Sequence, residues 1–146
     1  MTTLFTIGYE GVGLENWIEI LKDNEISLVI DVREKPISRK KGFSKRSLCN
    51  ALKENDIKYI HMGILGSPGE IRSELHNTHN YPSFFRKYLS YLCKQSGAIK
   101  ALLDKASRQK GTCLMCFEKD PLKCHRSILT EYLLTNYPND IKVEHL

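Results

Sequence analysis

The 146-residue chain has no apolar run long enough to span a bilayer, and it does not begin with a cationic stretch followed by a long apolar one. The first absence excludes a membrane-spanning helix, and the second predicts no signal peptide and a cytoplasmic location. Internal repeats and low-complexity linkers are also missing, which with this length predicts one domain over residues 1–146. The cysteines, at 49, 93, 113, 116 and 124, form no regular framework. Their odd number, without an export signal, predicts reduced thiols. Nor is there a strong bias of charge: a net +5 permits an anionic partner without requiring a nucleic acid.

Several familiar motifs fail on spacing. Gly8, Gly11 and Gly13 follow the first apolar run as G-x-x-G-x-G, which is not the order of a dinucleotide fingerprint, and no Walker lysine follows. Neither Cys116 nor Cys124 has an arginine at the offset a tyrosine-phosphatase loop requires. Cys113 and Cys116 resemble a C-x-x-C pair, yet residues three apart on a strand point to opposite faces, which spoils them as paired zinc ligands. His76 and His79 have metal-compatible spacing without supporting donors nearby in sequence. No metal and no cofactor are expected.

What is present alternates. LFTIG (4–8), SLVID (27–31), IKYIH (57–61), GTCLMCFE (111–118) and IKVEHL (141–146) are short apolar runs that predict strands. Leu14, Trp17, Ile18 and Leu21 recur at helical spacing, predicting a helix to about Asn24. Further helices are predicted around Leu48 to Leu52, with Ser44 as cap, Phe84 to Leu92, Ile99 to Ala106, and Ile128 to Leu133. The stretch from His61 to Tyr81 is poorly periodic and reads as loop. The pattern predicts a three-layer, Rossmann-like α/β domain with a mostly parallel sheet of about five strands flanked by helices.

Ligands in such folds bind beyond the carboxyl ends of the strands, and the unusual residues gather there. In CFEKDPLKCHRS (116–127), Asp120-Pro121 predicts a helix start, placing Cys124, His125 and Arg126 in its first turns, where free N–H groups favour anions and thiolates. Cys116, Glu118, Cys124 and His125 are therefore candidate catalytic groups, with Asp31 as a further acid or base. Arg33, Arg39 and Arg126 are candidate anion contacts, and Gly8 and Tyr9 candidate ligand contacts from the first strand. Arg72 is one more possible anion contact. Lys40, Lys41, Lys45 and Arg46 read as a solvated basic face.

Together TIGYEG, Trp17, DVREKPISRKKGFSK, HMGILGSP and CFEKDPLKCHR resemble the domain-of-unknown-function 488 family over nearly the whole chain. The resemblance implies a compact α/β fold and a Cys-x-Glu…Cys-His-Arg ending. It extends to Gly8, Tyr9, Asp31, Arg33, Ser38, Arg39, Phe43, Cys116, Glu118, Cys124, His125 and Arg126. It implies a fold and a site, not a reaction. LVIDVRE is also similar to the strand that opens rhodanese domains, although Cys116 lies ten residues before Arg126 rather than a few. The glycine-rich first turn and the acidic strand ends resemble those of nucleoside-processing Rossmann-like enzymes.

The leading expectation is an enzyme acting on a nucleotide, nucleoside or other small phosphate-bearing ligand. Its arginines would hold the anion, and an acid or a cysteine would do the chemistry. The alternatives are a non-catalytic nucleic-acid-binding module using residues 39–46, and rhodanese-like sulfur transfer through a reactive cysteine.

Overall fold

The computed structural model describes all 146 residues. Five strands, β1 (Thr2–Gly8), β2 (Leu28–Asp31), β3 (Lys58–His61), β4 (Thr112–Cys116) and β5 (Ile141–His145), form one sheet in the order β3-β2-β4-β1-β5. Every pairing is parallel. Six helices cover the sheet: α1 (Leu14–Asp23), α2 (Lys45–Glu54), α3 (Gly69–Thr78), α4 (Tyr81–Leu92), α5 (Ser96–Ser107) and α6 (His125–Asn136). No helix is long and apolar enough to cross a membrane.

The alternation of side chains along each strand divides the core in two. Leu28, Ile30, Leu114 and Cys116 pack with Tyr88 and Leu92 of α4, Leu102 of α5 and Leu129 of α6. Val29, Cys113 and Met115 point the other way, onto Trp17 and Leu21 of α1 and Leu48 and Leu52 of α2. β2 and β4 have both faces covered, which accounts for their unbroken apolar sequences. β3 and β5 are the sheet edges and are correspondingly less buried.

The stretch predicted as loop before Tyr81 contains α3. No side chain of α3 is buried, so it carries no apolar period for the sequence to display. α4 begins where Asn80 accepts a hydrogen bond from the Ser83 amide at 3.1 Å, with Pro82 in the first turn.

This topology fixes where a ligand can sit. β4 passes the chain to α6 on one face of the sheet, whereas its neighbours β1 and β2 pass it to α1 and α2 on the other. The connections therefore diverge at the carboxyl end of β4 and leave a crevice there. Gly8 is in register with Cys116, and Asp31 with Met115, so the ends of the three central strands reach this crevice at about one level.

Candidate functional site

An open cleft of about 1230 Å³ lies over the carboxyl end of β4. Cys116, Glu118, Cys124 and His125 line it, as do Tyr9, Arg33 and Arg72, so seven of the eleven candidate site residues share one cavity. Its walls add polar groups from the irregular segments and from α3, among them Glu34, Ser67, His76 and Lys123.

The route from β4 to α6 builds the chemical end of the cleft. Asp120 and Pro121 do start a helical segment, but it is a single tight turn, Pro121–Lys123, whose Leu122 amide donates to Asp120 Oδ1 at 3.0 Å. α6 begins afterwards, and its N-cap is Cys124, whose Sγ accepts from the Arg126 amide at 3.5 Å. His125 Nε2 lies 2.8 Å from the Val32 carbonyl oxygen. That oxygen only accepts, so Nε2 carries the proton and the lone pair of the neutral ring is on Nδ1, 3.6 Å from Cys124 Sγ. Burial and the neighbouring Arg126 charge push the His125 pKa down to about 4.

Arg126 enters this cluster from below and is wholly buried. Its Nη1 donates to Cys116 Sγ at 3.0 Å and to the Glu118 carbonyl at 2.6 Å, and its Nη2 to the Lys119 carbonyl at 3.0 Å. These bonds fold the 117–119 backbone around the guanidinium. The Cys116 and Cys124 sulfurs and a Glu118 carboxylate oxygen all lie within 4.8 Å of one another. At Cys124 burial works against the thiolate that its helix-start position favours. Its side chain is almost fully buried, and desolvation together with the neighbouring Cys116 raises its pKa well above the usual thiol range.

The arginines are placed differently from one another. Arg33 donates from Nε and Nη2 to the two Asp31 oxygens at 2.9 and 2.7 Å, and from Nη1 to Tyr9 Oη at 3.1 Å and the Phe43 carbonyl at 2.8 Å. Burial alone would lower its pKa, but the Asp31 and Tyr9 partners outweigh that and raise it. Four of its five N–H groups are thus committed to the protein, and three of those on Arg126 are. Asp31 is fully buried and also accepts from Tyr59 Oη at 2.5 Å, so both its oxygens are occupied and it does not line the cleft. Arg39 is exposed and outside the cleft, together with Lys41, Lys45 and Arg46.

Gly8 also has a structural reason to be glycine. A Cβ there would lie 1.9 Å from the Glu118 carbonyl oxygen, so the end of β1 packs directly on the backbone that cradles Arg126. Tyr9 stacks on Phe43 with centroids 4.4 Å apart. Cys113 and Cys116 do point to opposite faces, but the chain returns after β4 and brings Cys124 beside Cys116. Glu34, Ser67 and Lys123 carry no signal in the sequence, being ordinary polar residues until the fold turns them toward one cavity.

No curated protein and no solved structure matches the chain. The model of the family described as "Domain of unknown function DUF488" matches residues 13–133. That match runs from the start of α1 into α6 and takes in both cleft thiols, Glu118, His125 and Arg126, and on its extent the chain belongs to the DUF488 family.

Proposed function

We propose that this protein is a thiol-dependent enzyme that acts on a small phosphate-bearing ligand, such as a nucleotide or nucleoside derivative, with Cys116 as nucleophile. The observation that carries the reading is the Arg126 Nη1–H aimed at Cys116 Sγ from 3.0 Å on the floor of the cleft. A guanidinium donor at that distance stabilises negative charge on sulfur, the form in which a thiol attacks. Cys124, whose burial disfavours its thiolate, stands next to it as a neutral thiol, with His125 Nδ1 3.6 Å away as an acceptor for its proton. Lys123 and His76 on the walls supply cationic and hydrogen-bonding groups for a phosphate, as does Arg72, which also donates to the Ser67 carbonyl and to Glu34 Oε1 but keeps more of its N–H groups uncommitted than Arg33.

Sulfur transfer is a second reading, favoured by the second sulfur within 4.8 Å of the first. A persulfide on Cys116 would have a thiol within reach to receive or release its outer sulfur. The nucleic-acid reading leaves the thiols and Glu118 idle, since its basic patch lies outside the cleft.

Rates of alkylation by a small haloacetamide, read for each cysteine by mass spectrometry, test the proposal. Cys116 should react at least as fast as exposed Cys93 despite its burial, and a phosphate-bearing ligand of the cleft should slow it selectively. If Cys116 reacts last, alongside the fully buried Cys113, it is not the nucleophile.

A further inference from the structure

We infer that Cys116, Cys124 and Glu118 form a binding site for a thiophilic metal ion of the zinc class, with a fourth coordination position open to the cleft. This rests on the reading above only in using the same cleft-facing sulfurs; it does not require either to be a nucleophile.

The two sulfurs and a Glu118 oxygen are mutually within 4.8 Å, and all three residues line one cavity. Zinc–sulfur bonds of about 2.3 Å at tetrahedral angles separate two sulfurs by roughly 3.8 Å, so small side-chain rotations close the set around an ion. Two thiolates select a soft or borderline cation over magnesium or calcium. Three protein ligands with one exchangeable position is the pattern of a reactive rather than a purely structural zinc site.

The surroundings balance the charge. Two thiolates and a carboxylate around a divalent ion leave one excess negative charge, and the buried Arg126 guanidinium, 3.0 Å from Cys116 Sγ, offsets it. The Arg126 amide, 3.5 Å from Cys124 Sγ, gives the second sulfur its own outer hydrogen bond. Outer N–H donors of this kind orient the ligands of protein metal sites. The ion would displace the thiol protons to solvent as it binds. The sequence hides the site because its obvious pair, Cys113 and Cys116, is split between the faces of the sheet.

The test uses the reduced, chelator-stripped protein titrated with zinc against a chromophoric chelator, and with cobalt for sulfur-to-metal absorption. One ion per chain is expected. Cys116→Ser or Cys124→Ser should weaken binding by at least about 100-fold, and Glu118→Gln by at least about 10-fold, comparable to or beyond the 10–100-fold loss typical of an outer partner. Cys49→Ser and Cys93→Ser should leave it unchanged. In the wild-type protein, where misfolding of a variant is not an issue, zinc should shield Cys116 and Cys124 from alkylation but not Cys93. Absence of saturable binding, or binding lost through Cys49 or Cys93 instead, overturns the inference. Rapid Cys116 alkylation that zinc does not slow sinks the metal site alone, while zinc shielding of a sluggish Cys116 sinks the nucleophile alone.

Discussion

Asp31 and Arg33 stand two apart on an extended segment, so their side chains leave the backbone on the same side and can meet. They do, through two parallel hydrogen bonds, under Tyr9 and Tyr59 and almost out of reach of water. A sequence shows an acid and an arginine at a strand end and suggests a site. It does not show that each already has the other as partner. Removing one partner strands a buried charge, which costs about 3–5 kcal/mol. Asp31→Ala should accordingly lose about that much stability in urea unfolding; a loss below about 1 kcal/mol would mean that Arg33 finds water or another acceptor. At the cleft end the opposite holds. Cys116, Glu118, Cys124 and His125 were legible as a cluster because their spacing around one strand–turn–helix brings them together, and the cleft contains all four.

At the scale of elements, strands and most helices were readable because their apolar periods reflect the faces they bury. α1 ends at Asp23, one residue before the expected stop, and β2 is the continuous apolar run of a strand covered on both sides. α3 escaped notice because none of its side chains is fully buried, although it forms a wall of the cleft. The start of α6 was misplaced for another reason. Asp120-Pro121 is a sound helix-start signal, but the chain uses it for one short turn and starts again at a cysteine cap. The contact between β1 and the turn after β4 could not be read at all, since it depends on two backbones 107 or 108 residues apart meeting, as the Tyr9 and Glu10 amides meet the Phe117 carbonyl at 3.1 and 2.9 Å. Gly8→Ala tests that contact. Its methyl group would collide with the Glu118 carbonyl at 1.9 Å, a backbone atom that also accepts from Arg126. A destabilisation of about 1–3 kcal/mol is expected, with a changed alkylation rate at Cys116. A neutral substitution would show that the turn moves freely and does not hold Arg126 in place.

At the scale of the whole molecule, one sheet with divergent connections on either side of β4 makes the cleft, and the same layering buries what stands at its floor. His125 is held between the Val32 carbonyl on the sheet side and the Tyr88 ring of α4, with centroids 5.2 Å apart. Burial disfavours its charged form, and protonation would put a second cation near buried Arg126, so the ring stays neutral at ordinary pH. Its folded pKa of about 4 lies below the ordinary value of 6.5. Between those values the unfolded chain binds a proton that the folded one does not, so stability falls as pH drops through this window and the loss levels off below about 4. One proton changes stability by at most about 1.4 kcal/mol per pH unit, so this histidine accounts for up to about 3 kcal/mol between pH 7 and pH 4. Urea unfolding of the metal-free protein at a series of pH values measures it, with His125→Gln as comparison, since the amide can donate to a carbonyl but does not titrate. The variant should lose some stability at pH 7 and show a flatter decline from pH 6.5 to 4. Equal slopes in the two proteins would mean that His125 reaches solvent before the fold opens, and that the floor of the cleft is looser than its packing indicates.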